Sequence, residues 1–242
     1  MERVELKEKA KEKIKGNLWY LWKPLVFFEL IVFLIVFLIV LPLVIAEVDE
    51  NTINLITNIV TSVFSIIETV FMVGYAKYTL DFVRGKKQDW KAPFSFIKDH
   101  FIAVILLSLL VDLIILGGTI LLIVPGIIFA IGHTFYQEVY VDNEDLKTME
   151  VVKKSWNLTK GYKMDIFILT LSFIGWGILG VFTLGILYIW LIPYMNVTLL
   201  LFYEGLTKKD KVRKEEPVNN EKIATKEEKT KKTNKKRKKN KN

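Results

Sequence analysis

Apolar residues in this chain run in long blocks separated by charged stretches, instead of alternating as along a strand or lining one face of a soluble helix. A helical bilayer crossing takes about 20 mostly apolar residues. The block 25–46 supplies such a run, with Glu29 as its only charge and Pro42 as its only breaker. Further blocks cover 54–76, 101–123, 127–141, 166–181 and 186–202. The pattern predicts an all-α polytopic transmembrane bundle of about six spans, forming a single membrane domain over 1–206. Pro125-Gly126 breaks the third block from the fourth, and Gly117-Gly118 loosens the third near its end. The fourth block is short for a crossing, so a kinked or re-entrant third and fourth pair is the alternative. Only Thr183-Leu184-Gly185 separates the fifth block from the sixth, which requires an antiparallel hairpin. Pro193, in the middle of the sixth, predicts a kink near Trp190. The first apolar run is longer than a signal-peptide core of about 7 to 15 residues, and further spans follow it.

Two segments outside the spans read as amphipathic helices lying in the membrane interface. In 2–15 a narrow stripe of Leu6, Ala10 and Ile14 is flanked by charge, with Glu5 and Lys9 placed to pair one turn apart. Gly16-Asn17 ends it, the ring-rich stretch 18–23 suits a headgroup layer, and Pro24 opens the first span. In 144–160, Leu146, Met149, Val152 and Trp156 share one face; Asp142 or Asn143 is the expected cap and Gly161 the expected end. The lysine-rich tail, 207–242, has no aromatic residue and predicts a disordered cytoplasmic segment.

Charge fixes the expected orientation. The 34 Lys and Arg all fall before the first span, between the second and third, between the fourth and fifth, or in the tail. The 47–53 loop holds Glu47, Asp49 and Glu50 and no base. The positive-inside rule therefore places both ends and both long loops in the cytoplasm, with the protein in a bacterial cytoplasmic membrane. The net +8 is not a nucleic-acid signal: it comes from the tail, which lacks rings to stack on bases and is suited to anionic lipid headgroups or to a solvated spacer.

Candidate chemistry lies inside the spans. Asn51, Asn54, Asn58, Thr61, Ser65 and Glu68 recur at steps of three and four, forming one polar stripe opposite Ile56, Ile59, Val63 and Ile66. Such a stripe is either hydrogen-bonding glue between helices or the wall of a wet path. Glu68, Asp112, His133 and Glu138 are ionisable groups within spans, where each costs about 2.5 to 3.5 kcal/mol unless paired or hydrated. At about 1.5 Å per residue, Glu68 and His133 lie about 12 Å deep, Asp112 about 17 Å and Glu138 about 5 Å. Packing of the second, third and fourth helices would let Glu68, Asp112 and His133 meet as a proton-exchanging cluster; the competing reading is neutral carboxyls bonded to Asn or Ser. There is no Cys, and one such His with scattered carboxylates does not make a metal site. No phosphate loop, dinucleotide fingerprint, nucleophile elbow or HExxH occurs, so neither a cofactor nor a catalytic residue is expected. Gly175, Gly177 and Gly180 are expected to allow close helix approach.

The stretch Ser172 to Tyr194, SFIGWGILGVFTLGILYIWLIPY, resembles a bacterial integral-membrane family catalogued as domain of unknown function 975. The resemblance extends through Pro125, Gly126, Ser155 and Gly161 and includes Ser172, Gly175, Trp176, Gly185, Pro193 and Tyr194, covering roughly 120–206. It implies a polytopic helical bundle and no particular activity. The leading expectation is a non-enzymatic protein with a structural, lipid-binding or partner-binding role in the envelope, such as protection against membrane-active peptides. The alternative is a proton-coupled transporter or exporter of a small solute.

Overall fold

The structure is a computed structural model that describes residues 3–210, apart from the side chain of Leu121. These residues form α1 (Arg3–Ile14), α2 (Leu18–Ile45), α3 (Glu50–Val83), α4 (Ala92–Leu121), α5 (Ile123–Gly132), α6 (Tyr136–Val141), α7 (Thr148–Leu158), α8 (Lys163–Phe182) and α9 (Tyr188–Asp210), with no strand among them. Two compact units divide at Tyr203 and Glu204. Five helices, α2, α3, α4, α8 and α9, are long and apolar enough to cross a membrane. Much of their outward surface is aliphatic and aromatic, as at Phe33, Leu38, Leu113 and Ile174, while α3 also exposes a line of polar residues. The expected disordered tail lies outside the described residues from 211 onward, while 207–210 continue the helix of α9.

α2 starts at Leu18, six residues before Pro24, so the proline does not open the helix. A proline inside a helix leaves the carbonyl four residues earlier without its N–H donor. Here that carbonyl belongs to Tyr20, and it accepts a hydrogen bond from the Tyr78 hydroxyl of α3 at 2.9 Å. Tyr75 does the same for the Leu21 carbonyl at 3.0 Å. The two tyrosines continue into a buried cluster with Phe28 and Phe71, whose rings stack 4.3 Å apart. The opposite end of α3 is capped by Asp49, which accepts from the Thr52 amide at 2.9 Å and from its hydroxyl at 2.6 Å. Those bonds hold its carboxyl below the ordinary carboxylate range. α3 and α4 approach closely at Gly74, where an added Cβ would lie 2.8 Å from the Pro93 carbonyl oxygen.

The limb expected as the fourth span is split. Only Leu122, fully extended, separates α4 from α5, so the break precedes Pro125-Gly126. Pro125 is then the third residue of α5, where a missing N–H leaves no bond unmade. Gly126 packs against Thr119, and Gly118 receives the Phe129 ring, so Gly118 serves contact without ending α4. α5 stops at Gly132 because α7 takes the carbonyl that the next turn would use. Thr159 donates its hydroxyl to the Gly132 carbonyl at 3.0 Å, and the Tyr136 amide bonds to His133 instead. α6 then brings Tyr140 beside His100, at the start of α4. The α5 and α6 pair thus carries the chain from the end of α4 back to its beginning.

The start of α2, the loop after α3 and the loop after α6 meet at that end. The Tyr20 hydroxyl bonds to the backbone of Gln88, Lys23 lies over the Trp90 ring, and Arg84 grips Asp142 through two bonds of 2.6 Å. Tyr203 donates to the same carboxylate at 2.9 Å.

Both amphipathic helices form, but protein covers the faces expected to meet lipid. Leu6, Ala10 and Ile14 are fully buried, with Lys7 over the Phe173 ring and Lys11 over that of Tyr194, so α1 is docked on α8 and α9. Burial, with Lys11 and Arg3 nearby, lowers the affinity of the Lys7 amine for its proton. α7 begins at Thr148, with Glu150 accepting the Lys147 amide at 3.0 Å. Asp142 and Asn143 do not cap it: they close α6. The buried face of α7 is Val151, Val152 and Ser155, and Met149 is exposed, because the helix presents its small residues to Gly132.

Candidate functional site

The proposed acid and imidazole cluster is not assembled within one copy of the chain. Glu68 and Asp112 are exposed on α3 and α4, as are Asn58 and Ser65, and no hydrogen bond or ion pair joins Glu68, Asp112 and His133 to one another among the described residues. His133 is buried at the end of α5. Its Nδ1–H donates to the Phe129 carbonyl at 2.8 Å, and its ring packs 5.5 Å from that of Trp156. These contacts fix the helix end, and neither involves the two acids. Glu138 is placed elsewhere again, on α6 one turn before Asp142, and its Oε2 atom is buried with no hydrogen-bond partner among the described residues.

The polar groups that do converge lie at the basic end of the bundle. Lys77 pairs with Glu144, Arg84 with Asp142, and His100 Nδ1 lies 2.9 Å from the Tyr140 hydroxyl. Beside them a cavity of about 230 Å³ opens between α3 and α4, lined by Lys77, Asp81, Ser95, Phe96, Asp99 and His100. Asp81 is held by the Gln88 amide at 2.9 Å, leaving Asp99 as the lining carboxylate with no partner among the described residues. Sequence reasoning missed this end. Its pairs span 67 and 58 positions, and the one local signal was the acidic cluster at 142–145 in a loop otherwise basic. No group of three or more His, Cys, Asp or Glu able to hold a metal occurs among the described residues.

The C-terminal half holds a further set of interlocked contacts. Gly180 accepts the Tyr188 ring, whose hydroxyl donates to the Gly177 carbonyl at 2.7 Å. Gly175 and Gly177 meet nothing within 4 Å of an added Cβ, so of the three glycines only Gly180 serves close approach. Pro193 lies in the second turn of α9, not mid-helix, and the carbonyl it leaves without a donor, that of Ile189, accepts the Trp22 indole N–H at 2.7 Å. Residues 116–210 match the family described as protein of unknown function (DUF975). No curated protein and no solved structure matches the chain.

The residues that carry this likeness have identifiable structural tasks. Pro125 and Gly126 shape the α4 to α5 turn, while Gly161 and Gly185 adopt φ of +85° and +86°, where a side chain is strained. Ser155 and Thr159 face Gly132, and an added Cβ there would lie 2.4 Å from the Trp156 ring. Ser172 bonds within its own helix, Trp176 lies 6.2 Å from Trp190, and Tyr194 meets the edge of Phe173. They hold helices to one another.

Proposed function

We propose that this chain is a multi-pass protein of a bacterial cytoplasmic membrane that acts without catalysis, through contacts with lipid and protein partners in the envelope, as in protection against membrane-active peptides. The observation that supports this reading is the use made of the residues within 116–210: prolines, glycines and hydroxyls there lock α4, α5, α7, α8 and α9 together. Orientation follows from the basic end, which gathers the segment before α2, the 84–91 loop and the 142–147 loop and would face the cytoplasm. By the same rule the tail's own lysines make it a cytoplasmic segment, suited to anionic headgroups.

Deleting the gene from its host and restoring it on a plasmid tests the role. Sensitivity to pore-forming peptides should rise on deletion and return on restoration, while purified protein in liposomes should neither turn over nor move a solute. Proton-linked flux in those liposomes would overturn the proposal in favour of transport. The exposed polar stripe of α3 favours that second reading, and Glu68→Gln with Asp112→Asn should then abolish the flux.

A further inference from the structure

The polar stripe of α3 has a register that its length makes unambiguous. Asn51, Asn58 and Ser65 repeat every seven residues, and so do Asn54, Thr61 and Glu68, with alternating steps of three and four. That is the 3.5-residue period of a seam between two supercoiled helices. At about 100° per residue the six fall within an arc of about 120°. All six are exposed, whereas α3 meets its neighbours through another sector that includes Val60, Phe64, Ile67 and Phe71. A third sector, Leu55, Ile59, Val63 and Ile66, is exposed and purely aliphatic.

The hydroxyls of the stripe are satisfied by their own helix: Thr61 donates to the Thr57 carbonyl at 2.8 Å and Ser65 to that of Ser62 at 2.8 Å. The side chains of Asn54, Asn58 and Glu68 have no hydrogen-bond partner among the described residues. In hydrocarbon, groups of this kind require one. We infer that the α3 stripe is a self-association seam, closed by the α3 of a second copy of this chain.

The second copy is favoured over other occupants because the stripe complements itself. Copies inserted with one orientation are related by a twofold axis along the membrane normal, so their α3 helices run parallel and each seam residue meets its own counterpart. A carboxamide is both donor and acceptor, so Asn54 and Asn58 each bond to their counterparts across the axis. The aliphatic sector alongside remains facing lipid. The inference is independent of whether the protein acts by binding or by transport.

The chain contains no Cys, so single-cysteine scanning needs no background substitutions. Full-length variants Asn58→Cys, Thr61→Cys and Ser65→Cys, oxidised in native membranes, should give a disulfide-linked dimer. Ile59→Cys, Val63→Cys and Ile66→Cys should give little. Adding Asn54→Ala and Asn58→Ala to Ser65→Cys should lower dimer yield about tenfold, the effect of two interhelical hydrogen bonds of about 0.7 kcal/mol each. Equal yields around the helix, a maximum in the aliphatic sector, or no dimer at any position would overturn the seam. So would reaction of the cysteines at 58, 61 and 65 with a water-soluble maleimide in the absence of dimer, which would make the stripe a wet face of a single copy. All seven positions are exposed, so the packed sector of α3 is unchanged in each variant.

Discussion

Replacing Trp22 by Phe removes one donor, the indole N–H that reaches the Ile189 carbonyl at 2.7 Å. In most helices that would be minor, because the carbonyl would keep its own bond four residues on. Here the residue four positions on is Pro193, which has no N–H to give. Loss of an ordinary hydrogen bond costs about 0.5 to 1.5 kcal/mol. A cost near 1 kcal/mol is expected for Trp22→Phe, about a fivefold shift in the folding equilibrium. Denaturation by SDS in detergent micelles, followed by near-ultraviolet circular dichroism, measures it. Trp19, on the same helix but 62% exposed, is the control, and its replacement by Phe should cost little.

A double-mutant cycle isolates the bond from the lost ring volume. Pro193→Ala restores an amide able to donate to the Ile189 carbonyl within α9. In that background Trp22→Phe should cost less than in the wild type, by about 0.5 kcal/mol or more, because the carbonyl retains a donor. Equal penalties in the two backgrounds would show that Trp22 contributes only by packing, and would refute the link between the proline and the indole.

The same logic applies to Pro24: Tyr78→Phe removes the donor to the Tyr20 carbonyl and should cost about 1 to 2 kcal/mol in the same assay, an effect reduced by Pro24→Ala. Gly132→Ala should destabilise by about 1 to 3 kcal/mol, since its Cβ meets the rigid Trp156 ring, and Trp156→Leu should relieve part of that loss. The Asp49 cap carries a pH dependence. Its carboxyl is held below the ordinary range in the folded chain, so its support of α3 is complete above the unfolded value and is lost as pH falls through the folded one. The protection of the Thr52 amide relative to its intrinsic exchange rate at each pH should therefore fall on acidification, and should show no such fall in Asp49→Asn.

The all-helical architecture was legible because lipid imposes length and apolarity on whole segments, and five long apolar helices answer to the blocks read from the pattern. The limb at 127–141 was misjudged as one helix for a physical reason. Nothing local in IIFAIGHTFYQEVYV ends a helix at Gly132; the ending comes from Thr159, which is 27 residues away. Pro125 was taken as the breaker, yet a proline in a first turn is a helix starter, and only the position of Leu122 reveals that role. The stripe of α1 was found correctly, but hydropathy does not distinguish a lipid headgroup layer from the flank of α8 and α9. The acid and imidazole cluster failed for a related reason. Equal depth in three helices fixes one coordinate only, and rotation about each helix axis turned Glu68 and Asp112 outward while His133 turned in.

Trp22 marks where the two halves of the chain depend on each other. The match to the family begins at residue 116, so Pro193 lies within it and Trp22 lies outside. The carbonyl freed by Pro193 is nonetheless satisfied from α2, and α1 sets Lys7 and Lys11 over rings of the same hairpin. The hairpin of the matched half is thus completed by residues that the match does not include. A chain sharing Pro193 without a donor in the place of Trp22 must satisfy that carbonyl in another way, with a water, a neighbouring hydroxyl or a locally unwound turn. In this protein the N-terminal helices are therefore a structural part of the C-terminal half, and removing α1 and the start of α2 should destabilise the α8 to α9 hairpin even though its own sequence is untouched.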